Sequence, residues 1–331
     1  MDFGITFKGD ISPKRTVALC KQAEVAGFKY GWFFDSHVLW RDCYLTMAQC
    51  MAHTDTMIFG PLVTNPGVRE WSVAGSMFAT LALQSGNRIE VGIGRGDSSR
   101  RMLGRKPMTV ANMERFAEAL RGFARGDDVA YDDASAQLTW ANGYKLPIWV
   151  AAYGPRALAG AGRSGDGLVI QLADPGLARW FSQQAIAGGA AIGKDMSNYQ
   201  IMAAAPVWIG DMDKAREQTR WFPAMVGNHV ADIVERYGME SPDIPASLTT
   251  YIEGRRGYDY KEHADKDAEH LDFISEDIVD AFGILGGVDA HIAKLKALEA
   301  AGVTQFNIYL MCGEEERIVA EYGEKIIPAF A

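Results

Sequence analysis

Cysteine is scarce in this chain of 331 residues: Cys20, Cys43, Cys50 and Cys312 are all there is, with no CxxC pair. That excludes a disulfide framework and a zinc cage and fits a reducing, cytoplasmic compartment. Long apolar runs are missing as well. Ala185 to Gly193 has nine residues and Ile201 to Gly210 ten, against the roughly 20 that cross a bilayer. The start, Met1-Asp2-Phe3-Gly4, lacks the basic and apolar regions of a secretory signal, so neither a signal nor a membrane partner is expected. Basic charge is in deficit, with 33 Lys and Arg against 42 Asp and Glu and a formal net charge of −9. Binding to nucleic acid draws its affinity from phosphate neutralisation, so that class is not expected either. Metal ligands do not cluster: His263 and His270 lie too far apart for one helical turn, in an acidic run without supporting ligands, and no metal site is expected.

What remains is globular, 48% hydrophobic and 23% charged. Short β-rich runs alternate with amphipathic ones from end to end. The pattern predicts strands over Asp2 to Phe7, Tyr30 to Phe34, Thr56 to Val63, Arg88 to Ile93, Pro147 to Ala151, Gly167 to Gln171, Ile201 to Ile209 and Thr304 to Leu310. Helices are predicted over Pro13 to Ala26, Ser72 to Gln84, Thr109 to Ala124, Arg156 to Arg163 and Asp289 to Ala301. Three helices end in Ala-Gly (Ala26-Gly27, Ala161-Gly162, Ala301-Gly302), each followed at once by a buried strand. Repeated helix-to-strand units imply right-handed crossovers and a parallel sheet. The fold class expected is α/β, a (β/α)8 TIM barrel forming one domain over residues 1–331. Asp127 to Tyr144 reads as a hairpin inserted before strand five, and Gly238 to Ser275 as an excursion after strand seven.

In such a barrel ligands bind where strands run into their following loops, at the C-terminal face. After strand two come Asp35, Ser36 and His37; the imidazole is a candidate proton donor or cofactor contact, and the carboxylate a candidate partner for it. A Ser-His-Asp hydrolase is not supported, because no G-x-S-x-G elbow is present. Strand three leads to Thr64 and Asn65, and strand four to Gly94-Arg95-Gly96-Asp97. The glycines there run G-x-G-x-G, not the G-x-G-x-x-G of a dinucleotide fold, and leave room for close backbone approach to a flat ligand. Arg95, Arg100, Arg101, Arg105 and Lys106 form a basic run in an acidic protein; a solvated helix start and an anionic ligand both fit it. Gly154, Pro155 and Arg156, after Tyr153, stand at a strand-to-helix junction, where free N–H groups attract anions.

In order, FGITF, AEVAGFKYGWFFDSH, GPLVTNPGVRE, IEVGIGRGD, PIWVAAYGPRALAGAGRSGDGLV and AGVTQFNIYL cover nearly the whole chain. These landmarks resemble those of the bacterial luciferase-like flavin and deazaflavin oxidoreductases, most of all the methylenetetrahydromethanopterin reductase branch. The resemblance implies a barrel, generally dimeric, with coenzyme F-420 or FMN at its C-terminal mouth. It places Asp35 and His37 near the reactive ring, although Ser36 splits a pair that is adjacent in the family. It sets Thr64 and Asn65 beside the ring and implies a non-prolyl cis peptide at Leu62 and Val63 that buttresses it. Gly94, Arg95, Gly96 and Asp97 match the ribityl-side loop; Tyr153, Gly154, Pro155 and Arg156 match the phosphate-side turn.

Two reactions follow from the resemblance. One is F-420-dependent hydride transfer to or from a small organic substrate, with His37 as a possible source of a proton. The other is an FMN-dependent monooxygenase using O2, with a separate flavin reductase as partner. A relative that binds cofactor without catalysis is a third reading, which a pocket filled by Trp40 or Trp71 would favour.

Overall fold

Eight parallel strands wrap into a nearly closed barrel with helices outside it. The structure, a computed structural model, describes residues 1–131, 134–237 and 274–331. The elements are β1 (Asp2–Phe7), α1 (Pro13–Val25), β2 (Tyr30–Phe33), α2 (Cys43–Ala52), β3 (Ile58–Pro61), α3 (Trp71–Ser85), β4 (Val91–Ile93), α4 (Ser98–Arg101) and α5 (Val110–Arg125). Then come β5 (Asp128–Tyr131), β6 (Ala134–Gln137), β7 (Ile148–Ala151), α6 (Pro155–Ser164), β8 (Gly167–Ile170), α7 (Pro175–Ala190), β9 (Gln200–Ile209), α8 (Met212–Thr219) and α9 (Trp221–Tyr237). The last are α10 (Glu276–Phe282), β10 (Ile284–Gly286), α11 (Val288–Ala300), β11 (Gln305–Tyr309) and α12 (Glu315–Glu321). Around the barrel the order is β3-β2-β1-β11-β9-β8-β7-β4, and the short β10 extends the sheet along the end of β9.

Each predicted strand is present within a few residues of its expected bounds. The expected hairpin is β5 and β6, antiparallel from Asp128↔Gln137 to Tyr131↔Ala134. Of the expected excursion after strand seven, residues 238–273 lie outside the described residues. Among those described, no helix is long and apolar enough to cross a membrane. No group of His, Cys, Asp and Glu among them could hold a metal ion.

The barrel closes between β3 and β4 through a narrow seam. Phe59 N donates to Arg88 O (3.1 Å) and Glu90 N to Phe59 O (3.0 Å); farther up, Thr64 N donates to Gly92 O (2.9 Å) and Gly94 N to Thr64 O (2.8 Å). Between these pairs the two backbones crowd. A Cβ on Gly60 would lie 2.1 Å from Glu90 O, and one on Gly92 2.5 Å from Pro61 O. Neither strand could carry a side chain there, so glycine permits closure. Just above, the Leu62–Val63 peptide is cis, as the family resemblance implies.

On the opposite side, α11 is pinned from within. His291 is fully buried; its Nε2–H donates to Trp208 O (3.0 Å) and its Nδ1 accepts from the Tyr322 hydroxyl (2.9 Å). A carbonyl only accepts, so Nε2 carries the proton, and in the neutral ring that leaves Nδ1 to accept. Burial pushes the His291 pKa from 6.5 down to about 4. Between those values the unfolded chain binds a proton that the folded chain refuses, so stability is complete above the unfolded pKa and falls as pH drops toward the folded one. Thermal unfolding followed from neutral pH to about pH 4 is expected to show a smaller loss of Tm in His291→Gln, whose amide can make both hydrogen bonds without titrating, than in the wild type.

Candidate active site

A cavity of about 190 Å³ opens at the C-terminal rim of the barrel. The ends of β2, β7 and β8 contribute to it, together with the segment after β3, the loop after β4, the start of α6 and one face of α9. Its walls are therefore the loops that a barrel presents to a ligand.

Asp35, just beyond β2, ties three of these segments together. Its Oδ2 accepts from the Tyr44 hydroxyl (2.9 Å), Thr64 Oγ1 (2.7 Å) and Arg69 Nη1 (2.6 Å). The Arg69 guanidinium also lies over the Tyr44 ring, 4.6 Å from its centroid. Burial pushes the Tyr44 phenol well above its usual range, which keeps it an O–H donor. Asp35 is buried, and burying a carboxylate is tolerable only with such partners. Through Thr64 it fixes the strand-three segment against β4.

The loop after β4 lies flush on that segment. A Cβ on Gly94 would come within 2.8 Å of Val63 Cγ2, and one on Gly96, whose φ is +80°, within 2.6 Å of Asn65 Cγ. These glycines thus make room for protein neighbours, a different need from the expected approach to a flat ligand. Asn65 Nδ2 donates to Ser99 Oγ (2.9 Å), and its Oδ1 accepts from Gly67 N (3.0 Å). Ser36 Oγ and Ser98 Oγ lie 2.6 Å apart, which closes the loop onto the end of β2.

The basic run divides into two groups. Arg95 Nε donates to Met108 O (2.6 Å), Arg100 to Gly67 O and Lys106 O (2.9 and 2.8 Å), and Arg101 Nε to Asp97 Oδ1 (2.5 Å). Those cations build the loop. The Arg105 and Lys106 side chains are exposed and, among the described residues, make no hydrogen bond or ion pair. Arg156 is exposed, unpaired in the same sense and in the cavity wall. It belongs to the first turn of α6, whose N-cap is Gly154 with Pro155 following and no side chain capping the turn. Free N–H groups, the helix dipole and a guanidinium thus coincide at this end.

On the far wall Tyr153 OH donates to Gln171 Oε1 (2.8 Å), and Gln171 Nε2 donates to Tyr309 OH (2.6 Å). His229 from α9 stacks on Tyr153, centroids 4.5 Å apart at 14°, with Nδ1 3.9 Å from Asp97 Oδ2. Phe34, Trp221 and Phe222 pack around the Tyr309 ring at 5.3, 6.4 and 5.5 Å.

Of the residues singled out in the sequence, Asp35, Leu62, Val63, Gly94, Arg95, Gly96, Asp97, Tyr153, Gly154 and Arg156 line the cavity. Thr64 and Asn65 are buried behind its wall, and Pro155 begins α6. His37 is exposed and not part of the lining. Leu39 N and Trp40 N both donate to Ser36 O (2.9 and 3.0 Å), a turn that carries the imidazole outward. Neither Trp40 nor Trp71 lines the cavity: Trp40 packs on Phe34, and Trp71 on Phe116. Ser36, weighed in the sequence only as a hydrolase nucleophile, and Ser98, Gln171 and His229, which the sequence did not point to, are all in the lining. Gln171, a polar residue ending a buried strand, carried a readable signal; His229, on a helix with no motif, did not.

Comparison with known proteins fits this geometry. Residues 1–305 match the luciferase-like monooxygenase family. The 5,10-methylenetetrahydromethanopterin reductase of Archaeoglobus fulgidus is 29% identical, with 99% of each chain covered. Among solved structures, the coenzyme F-420 dependent tetrahydromethanopterin reductase from Methanopyrus kandleri superposes with a TM-score of 0.78 at 23% identity, covering 100% of this chain and 99% of that one. The oxygenating component of a Pseudomonas putida 3,6-diketocamphane monooxygenase, in complex with FMN, has a TM-score of 0.67 at 14% identity and covers 99% and 98%.

Replacing Asp35 by Asn removes the charge facing Arg69 and is expected to destabilise the fold by about 2 to 4 kcal/mol, since breaking one side of a buried pair strands the other. The midpoint of urea unfolding measures this, and an unchanged midpoint would remove Asp35 as the anchor of the rim.

Proposed function

This chain belongs to the luciferase-like monooxygenase family, and on that premise we propose that it is an oxidoreductase using coenzyme F-420 for hydride transfer to or from a small organic substrate. The observation that carries the reading is an uncapped helix start with the unpaired Arg156, in a cavity that also has Leu62 and Val63 in its wall. That donor set suits the phosphate of F-420 or of FMN. Arg105 and Lys106, exposed and unpaired among the described residues, favour the cofactor with the longer anionic tail. Identity over the full length to a methylenetetrahydromethanopterin reductase supports the same branch.

When bound, the cofactor supplies the hydride chemistry; the protein supplies orientation and a dry site. Leu62 and Val63 present an apolar wall for a ring. Asp35 acts through Thr64, holding that wall against β4, and Asn65 holds the 94–97 loop through Gly96 and Ser99. Gly154, Pro155 and Arg156 take the phosphate, with Tyr153 and Gly94 to Asp97 flanking it. Asp97 and His229, both in the lining, are better placed to hold or pass a proton than His37. Family membership supports a homodimer as the working assembly and the cytoplasm as its location.

The FMN-dependent monooxygenase is the second reading, favoured by the solved relative with FMN; it would need a separate flavin reductase. Titration of the purified protein with F-420 and with FMN separates the two. Tight F-420 binding, with a reduced form that persists in air, is expected; tight FMN binding with rapid oxygen uptake would replace the first reading by the second. Arg156→Glu, which exchanges an attractive charge for a repulsive one, is expected to raise the F-420 Kd at least about tenfold, or 1.4 kcal/mol. Asn65→Leu, which frees the Gly96 loop, is expected to raise the Kd of either cofactor by a similar factor, and an unchanged Kd would remove that residue from the site.

A further inference from the structure

Four buried polar side chains inside the barrel lack a hydrogen-bond partner among the described residues: Thr6 Oγ1, Trp32 Nε1 and both side-chain polar atoms of Gln305 and of Asn307. Each of these residues is at most 2% exposed. They share the inner face. Trp32 on β2 meets Trp149 on β7, ring centroids 6.2 Å apart, and these strands are not sheet neighbours, so the contact crosses the interior. Thr6 is in register with Trp32 on one side and Tyr309 on the other, and paired residues of adjacent strands face the same way. Asn307 and Gln305 follow Tyr309 down β11 at the two-residue period of a strand, on the same face.

The neighbouring interior groups are satisfied. Trp149 Nε1 donates to Glu90 Oε2 (2.5 Å), and Tyr309 OH accepts from Gln171 Nε2 (2.6 Å). Asn307 has no polar side chain beside it, since its register partners are Gly4 and Ala204, and the side chains of Thr6, Trp32 and Gln305 make no hydrogen bond to the residues beside them. A buried amide without a partner is destabilising, and two such amides, a hydroxyl and an indole N–H are clustered here. Alternate residues of a strand are about 6.6 Å apart, from a rise of about 3.3 Å per residue. That is too far for a direct hydrogen bond between backbone-anchored neighbours and about the span of one molecule bridging two.

The chemistry of the set identifies the occupant. The Trp32 indole only donates, the amides donate and accept, and the Thr6 hydroxyl does either. A cation would be repelled by the N–H groups and an anion by the carbonyl oxygens; water answers both. We propose that the barrel interior binds ordered water on Thr6, Trp32, Gln305 and Asn307 as a fixed part of the fold. The water also has a role toward the cavity. Tyr309 OH accepts from Gln171, and its own proton has no protein acceptor among the described residues. Water above Asn307 takes that proton and so fixes the amide of Gln171, which lines the cavity.

A crystal structure of the intact protein at atomic resolution tests this directly. Ordered water is expected about 2.7 to 3.2 Å from the Asn307 amide and from Thr6 Oγ1 or Trp32 Nε1. An interior without ordered density, these side chains paired with one another, or a peak with the coordination of a metal ion would each overturn the proposal. Thr6→Val keeps the shape and removes only the hydroxyl. It is expected to lower Tm by a few degrees, because water that it held is left short of a partner. A Tm that is unchanged or higher marks a dry interior and overturns the proposal; if the variant does not fold, the crystallographic result decides alone.

Discussion

Two backbones lie side by side at the β3–β4 seam because Gly60 and Gly92 carry no Cβ at the points where the facing carbonyls come within contact distance. Without that approach the sheet would remain open between its first and last neighbours, and the loops after strands two, four and five would not converge. The seam also sets the site. Thr64, bonded to β4 on both its N–H and its carbonyl, is gripped a second time by Asp35, so the cis segment before it is held from two directions. The rim is thus an extension of barrel closure and shares its rigidity.

Charge in this rim is divided by purpose. A cationic run in an acidic protein looks like a ligand site, yet Arg95, Arg100 and Arg101 donate to Met108 O and Lys106 O of the loop itself, to Gly67 O of the segment after β3, and to Asp97. Such bonds shape a loop that has little regular structure to hold it. What remains for an anion is Arg156 and the uncapped first turn of α6, with Arg105 and Lys106 outside. The loop's shape therefore rests on Arg side chains already engaged with protein partners, whereas Arg156 reaches the cavity with none among the described residues.

The strands were legible as short β-branched or aromatic runs, two of them announced by a glycine-terminated helix, at Gly27 and Gly302; Gly162, expected to end a helix in the same way, lies inside α6, which runs on to Ser164 with Gly165 as its cap. Several helices were not. The segment that forms α7 is rich in small residues, with Gly188 packed so close to α6 that a Cβ would lie 2.4 Å from Ala159 Cα. Its polar stripe is short, Arg179 and Gln183 one turn apart, although Asp174-Pro175 is a start signal and the Asp174 carboxylate does cap Leu177 N at 2.7 Å. The candidate site was legible where strand ends supply it. His37 was assigned by its position beside Asp35, and only the turn back to Ser36 O shows that the imidazole points outward. His229 meets Tyr153 and Asp97 through tertiary packing of a distant helix, which no local pattern encodes.

The most direct measurement is a structure of the protein with F-420 bound. The ring is predicted to rest on the Leu62–Val63 wall, with its phosphate on the first turn of α6 beside Arg156. A ring bound elsewhere on the molecule, or a phosphate remote from α6 with Arg156 in solvent, would contradict the assignment of this cavity as the redox site.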